Sequence, residues 1–369
     1  MLKSLSSFLR SKTFSDFSRD SLLKMDPEIA HQASISALKM GLVPTQQRAD
    51  SKLLATNICG LELKNPIGMA AGFDKNAQVP VALSKIGFGF CEVGTVTPHP
   101  QQGNEKPRLF RLPKKQAIIN RMGFNNHGHE EVFKRLSEIN SEAIIGVNIG
   151  ANKDSDDFVK DYVLGVKKFA TISDYLTINI SSPNTKGLRD LQSFEALKRL
   201  LFESLAERAR AKIRVPIFLK IAPDLDEKEM DAIAKVLVDS DIDGLIISNT
   251  TISRETVLGL EHSEELGGLS GKPLFNLSTE RLAQMRLRVG NKMTIIGVGG
   301  IHSAQSAIAK LNAGANAIQL YSALVFCGME LLDEIKLGLV SAVEKSDFEN
   351  ISALSGTNVI DWATGKLEI

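Results

Sequence analysis

From residue 65 onward the chain repeats one unit: a short apolar run rich in Val, Ile and Leu, then a longer stretch whose apolar residues recur at helical spacing. Eight such runs fall at 66–70, 90–94, 143–148, 175–180, 216–221, 244–248, 294–298 and 317–320. Strands buried on both faces read as continuous apolar runs, and their alternation with helices marks βα units around a parallel sheet. Eight units over roughly 250 residues predict an α/β fold, a (β/α)8 TIM barrel of parallel strands, preceded here by a small N-terminal helical extension. A doubly wound open sheet ranks second, because it does not need polar groups at eight strand ends. Those groups are present: Ala71 to Lys75, Thr95, Asn148, the 179–184 stretch, Lys220, Ser248 to Thr250, Gly299 with Gly300, and Tyr321 with Ser322 all fall at or just after the end of a run. In a barrel, these are the positions that carry chemistry.

The sequence NISSPNTKGL at 179–188 crowds amides and hydroxyls where the fourth run ends. It contains no His or Cys, so a serine is its candidate for proton transfer, with asparagines as neutral hydrogen-bonding neighbours. The competing reading is a turn, with Pro183 making both serines turn formers. GVGG at 297–300, followed by HSAQSAIAK, gives a strand, a glycine turn and a helix start, the local pattern of a phosphate site that Tyr321 and Ser322 would complete; ligand-free tight-turn glycines are the alternative. Lys220 closes a strongly apolar run and needs an anionic partner if it is more than a lone structural lysine.

Composition excludes more than it assigns. Among 369 residues, 44 basic and 43 acidic side chains leave a formal net charge of +1, which gives no reason to expect nucleic-acid binding. The three cysteines, Cys59, Cys91 and Cys327, match neither a disulfide framework nor a metal pattern, and His127 and His129 lack a matching ligand set, so no metal is expected. No run of ~18 apolar residues exists, so membrane contact would be peripheral. The opening 1–12 segment is basic, serine-rich and free of acids, which also fits an organellar presequence. Residues 21–42 read as two short amphipathic helices meeting near Met25, with Asp26 as N-cap before Pro27, and with Gly41 and Pro44 as the stop. Their apolar face either packs on the barrel or serves a membrane. The expected organisation is therefore helices over 1–44, the barrel over 45–345 and a polar surface extension over 346–369.

Several motifs occur together and in order: NPIGMAAGFDK at 65–75, GTVTP at 94–98, RLFRLP at 108–113, NRMGFN at 120–125, the 179–188 loop, SNTT at 248–251, GGLSGKP at 267–273 and GVGG at 297–300. With them, the chain from about Asp26 to about Leu339 resembles the dihydroorotate dehydrogenases, specifically the class 2, quinone-linked branch. The resemblance implies oxidation of dihydroorotate to orotate in pyrimidine biosynthesis by a ping-pong cycle, with FMN as hydride acceptor and ubiquinone or another membrane quinone as terminal acceptor. It implies that Ser182 is the base that takes the C5 proton while hydride leaves C6, with Thr185 and Phe124 beside a proton relay. Serine rather than cysteine at this position is what separates class 2 from class 1.

The flavin shell implied by the resemblance comprises Ala70, Ala71, Gly72, Lys75 and Thr95 from the first two strand ends. Asn148, Asn179, Lys220, Ser248 and Gly271 continue it, and Gly299, Gly300, Tyr321 and Ser322 surround the phosphate. Lys220 would stabilise negative charge on the N1/C2 side of the flavin. The implied substrate shell is Lys75, Asn120, Arg121, Met122, Gly123 and Phe124, with Asn179, Asn184, Asn249 and Thr250. His31, Arg111 and Tyr321 match positions near a quinone tunnel under the N-terminal helices. The loop 183–192, with Gly187 as hinge, is the candidate lid. A monomer on the inner face of a bacterial cytoplasmic membrane is expected, with the mitochondrial inner membrane as the alternative.

Overall fold

The computed structural model describes residues 12–369 apart from 44, 47 and 213. The first eleven residues of the basic opening segment, and Pro44, lie outside the described residues. Eight parallel strands close into a barrel: β1 (Ile67–Met69), β2 (Phe90–Val96), β3 (Ile145–Ile149), β4 (Tyr175–Asn179), β5 (Ile217–Ile221), β6 (Gly244–Ile247), β7 (Thr294–Val298) and β8 (Ala317–Leu320). Each pairs with its sequence neighbour, and β8 returns to β1 with Ile318 opposite Ile67. The strands coincide with the eight apolar runs, because a strand covered by helices outside and packed side chains inside has no wet face to break its pattern.

The barrel interior is layered. At its base Phe90, Tyr175, Phe218, Ile246, Ile296 and Ala317 pack together, covered by Ile58 and Leu63 from the hairpin Thr56–Ile58 and Leu61–Leu63. Tyr175 lies edge-on to Phe90 and Phe218, with ring centroids 6.2 and 5.5 Å apart. Gly146 on β3 makes room for it, since a Cβ there would strike the Tyr175 ring. Above this apolar floor the interior turns polar, and above that layer it opens.

Two helices cover the open end. Asp26 caps the second, α2 (Pro27–Lys39), accepting from the Glu28 and Ile29 amides at 2.9 and 3.0 Å, with Pro27 in the first turn. The first, α1 (Lys12–Lys24), ends where Arg111 donates to the Leu23 and Met25 carbonyls at 3.1 and 2.9 Å. Arg108 grips Glu28 through two nitrogens, the shorter contact being 2.7 Å. The pair thus straps α2 to the strand Leu109–Leu112 beside the cavity. Ala30, Ile35 and Leu38 bury one face of α2, while Met25, Ile29, Met40 and Leu42 stay exposed. No helix among the described residues is long and apolar enough to cross a membrane.

The segment 346–369, expected as a polar surface extension, packs against the barrel's helices. Ile351, Leu354 and Trp362 are buried, and Trp362 stands edge-on to Phe275 at 5.9 Å. Its apolar residues are few and flanked by polar ones, so no periodic pattern announces the three that are buried, while Phe348, Ile360 and Ile369 stay exposed.

Candidate active site

One cavity of about 1220 Å³ runs from the C-terminal mouth of the barrel to the underside of α1 and α2. Ala70, Ala71, Gly72, Thr95, Lys220 and Ser248 line its barrel side. Gly271, Gly299, Gly300, Tyr321 and Ser322 form another wall. Asn120, Met122, Gly123, Phe124, Asn179, Ser182, Asn184, Asn249, Thr250 and Lys75 surround the inner chamber, and His31 and Arg111 stand toward the helices. Residues separated by nearly three hundred positions thus meet because each follows a different strand or loop of the closed ring.

Two of the residues expected in the flavin and substrate shells do not line this space, and neither does Thr185, which is buried. Asn148 sits opposite Thr177 in the strand register, one layer beneath the Asn179 and Lys220 pair. There its amide accepts from the Thr95 hydroxyl at 2.6 Å and donates to Glu92 at 2.7 Å. Arg121 follows Asn120 at the end of a strand and projects to the opposite side. It pairs with Glu265 at 2.7 Å, donates to the Pro107 and Leu266 carbonyls and stacks over Phe110 at 4.7 Å. A guanidinium so engaged is a brace for the outer hairpin rather than a ligand for the cavity.

The two adjacent serines divide their work. Ser181 is fully buried and donates to Asn179 Oδ1 at 2.8 Å while accepting from Asn249 Nδ2 at 2.9 Å. Ser182 lines the cavity, and its Oγ accepts from the Asn184 amide at 3.2 Å. The loop that carries them is clamped by Arg189, which donates to the Ser181 carbonyl at 3.1 Å and to the Thr250 carbonyl at 3.3 Å and pairs with Asp224 at 2.9 Å. Gln192 then accepts from the Ala222 amide at 3.0 Å. These bonds fix the short helix Leu188–Gln192, whereas Lys186 and Gly187 stay exposed, Gly187 in the left-handed region at φ 77°.

The charges on the walls are withdrawn from bulk water. Lys220 is buried and its Nζ makes no hydrogen bond to the described residues; burial pushes its pKa below the ordinary lysine value, against the upward pull of Glu92. Lys75 donates to the Gly72 carbonyl at 2.8 Å, and burial lowers its pKa to about 8, with Glu28 opposing and Arg108 adding to the shift. His31 sits 3.2 Å from the Tyr321 hydroxyl and edge-on to Phe73 at 5.4 Å. Burial and then Lys75 lower its pKa to about 3, so this imidazole is neutral at any physiological pH.

Glu92 is the functional-site residue that the sequence reading missed. It is 1% exposed and accepts from Asn148 at 2.7 Å, Tyr175 at 3.2 Å, Thr177 at 3.1 Å and Gln319 at 2.9 Å. Four donors keep a buried carboxylate in place. They form the polar layer on which Asn179, Thr95 and Lys220 rest. The signal was a single acid inside an otherwise apolar run, Phe-Cys-Glu-Val-Gly.

A closed parallel barrel whose mouth carries a buried lysine without a hydrogen bond to the described residues, and a serine lining the same cavity that runs out beneath two helices, has the architecture of an α/β-barrel enzyme. The chain belongs to the dihydroorotate dehydrogenase family, whose sequence profile matches residues 53–343. It is 51% identical over 358 residues to the dihydroorotate dehydrogenase (quinone) of Rhizobium etli, covering 96% of this chain and 99% of that one. The protein of the same name from Brucella anthropi is 49% identical over 359 residues, covering 96% and 98%. The crystal structure of the Eimeria tenella dihydroorotate dehydrogenase in complex with ferulenol superposes with a TM-score of 0.86 at 39% identity, covering 90% of this chain and 96% of that chain.

Proposed function

We propose that this protein oxidises dihydroorotate to orotate for pyrimidine biosynthesis, with FMN as its resident flavin and a membrane quinone as terminal electron acceptor. The observation that carries the reading is the shared cavity: Ser182, the asparagine shell and Lys220 at one end, the exposed-faced helices α1 and α2 at the other.

The residues fit an anionic mononucleotide. Among the described residues Lys220 Nζ makes no hydrogen bond, and neither the Gly300 nor the Ile301 amide donates to a backbone carbonyl. When bound, FMN supplies the acceptor for the hydride, which carries both electrons of the oxidation. Lys220 would hold developing negative charge on that group, and Gly299, Gly300, Tyr321 and Ser322 would hold its phosphate. The side chains of Asn120, Asn184, Asn249 and Thr250 would orient the substrate's ring carbonyls and amides, and Lys75 would pair with its carboxylate. Ser182 would take the C5 proton, with Thr185 and Phe124 beside the outgoing path. The lid is proposed to move about Gly187, its motion confined to 183–187 because Arg189 and Gln192 anchor the short helix on its C-terminal side.

Quinone would enter between α1 and α2 and pass Arg111, His31 and Tyr321. The exposed Met25, Ile29, Met40 and Leu42 suit peripheral contact with lipid, on the inner face of a cytoplasmic membrane, by a monomer. The flavin assignment is tested by releasing the cofactor from purified protein with acid and separating it by chromatography: FMN at about one equivalent is expected, and FAD or no flavin would reject it.

Lys75 gives the substrate site a pH signature. A lysine with a lowered pKa is a cation only below about pH 8, and a bound carboxylate favours its charged form. Orotate affinity is therefore expected to hold up to pH 8 and then weaken by up to about tenfold per pH unit. Spectral titration with orotate between about pH 7 and pH 9.5 checks this, and Lys75→Gln should bind more weakly throughout with the slope removed.

A further inference from the structure

Lys310 lies on α4 (Ala304–Asn312), the helix that comes after the glycine turn, and it is fully buried. Its Nζ donates to Ser278 Oγ at 2.7 Å and stands 4.7 Å from the centre of the Phe275 ring, both on α3 (Phe275–Val289). No carboxylate among the described residues pairs with it, and burial alone pushes its pKa well below the ordinary lysine value. An amine in that position is costly as an ammonium unless something anionic lies nearby.

What lies nearby is the turn proposed to hold phosphate. Ser278 Oγ is 3.0 Å from the Gly299 carbonyl and equally far from the Phe275 carbonyl, so a hydroxyl that accepts from Lys310 has its own proton free for one of them. The Gly299 carbonyl is thereby turned toward α3. In a trans peptide the next N–H points the opposite way, which directs the Gly300 amide away from α3 and toward the cavity that both glycines line. The close approach needs glycines: a Cβ on Gly299 would strike Ser278, and one on Gly300 would strike the Phe275 backbone.

We infer that Lys310 is a positioning residue for phosphate recognition, holding the Gly299 carbonyl through Ser278 so that the Gly300 amide faces the ligand. This rests on the proposed FMN assignment. The two can be separated by measuring the affinities of the flavin-free protein for FMN and for riboflavin, which differ only in the phosphate. The unaltered protein should prefer FMN; equal affinity, or no binding of either, would reject the FMN assignment and this inference with it. Lys310→Met should lower the FMN-to-riboflavin preference about tenfold while leaving riboflavin affinity within about twofold, the scale of one oriented hydrogen bond to the phosphate lost. A parallel fall for both flavins would make Lys310 a packing residue, and no change for either would remove it from the site; each outcome overturns the inference. Should Lys310→Met fail to fold, Ser278→Ala decides by the same ratio: a drop of about threefold supports the relay, and an unchanged ratio contradicts it.

Discussion

Ser182→Ala is expected to keep its yellow flavin and lose at least ~100-fold in the rate at which dihydroorotate bleaches it at neutral pH, the lower range for removing a positioned base. The change is local. Ser182 Oγ accepts a single hydrogen bond, from the Asn184 amide, while the loop is held by Ser181, Asn249 and Arg189, none of which depends on it. Loss of that bond costs on the order of 1 kcal/mol, so thermal stability should fall by no more than a few degrees. Stopped-flow mixing with dihydroorotate under anaerobic conditions reads the rate directly. Near-normal bleaching would remove Ser182 from proton transfer and leave it a turn residue.

Lys220→Met is expected to be the second large effect, slowing the same half-reaction by about 10²- to 10³-fold, the scale seen when one preorganised donor to developing charge is removed. Methionine replaces the long stem in kind, and a buried charge with no hydrogen bond contributes little to folding, so the barrel should stay intact. Glu92 keeps all four of its donors without Lys220. Flavin content and the reduction rate, measured on the same preparation, separate a binding defect from a chemical one. A rate close to that of the unaltered protein would mean that Lys220 serves only to fill space.

The eight strands were legible because each is buried on both faces and so appears as an unbroken apolar run. The C-terminal ends could be read from the runs, and the cavity walls from the ends. The polar layer under the cavity was less legible: Glu92 is joined to Gln319, a residue from the far end of the chain, and no local pattern announces a partnership made only when β8 closes on β1. Asn148 and Arg121 were legible as residues near the site but not in their aim. Register places Asn148 one layer beneath the cavity wall, bonded to Thr95 and Asn179, and alternation at a strand end turns Arg121 outward to Glu265. The clamp of Arg189 on Asp224 and the strap of Arg108 on Glu28 likewise join separate loops, and charge alone in the sequence does not say which pairs will meet.

The central claim is that one cavity serves a dihydroorotate-driven reduction at one end and quinone access at the other. An anaerobic cuvette of the full-length protein tests it: the flavin spectrum is recorded, dihydroorotate is added, and then a soluble ubiquinone analogue, fumarate or NAD is added to separate samples. Bleaching and then recovery with the quinone alone is the predicted result. Recovery with fumarate or NAD, or a spectrum that dihydroorotate leaves unchanged, would contradict it.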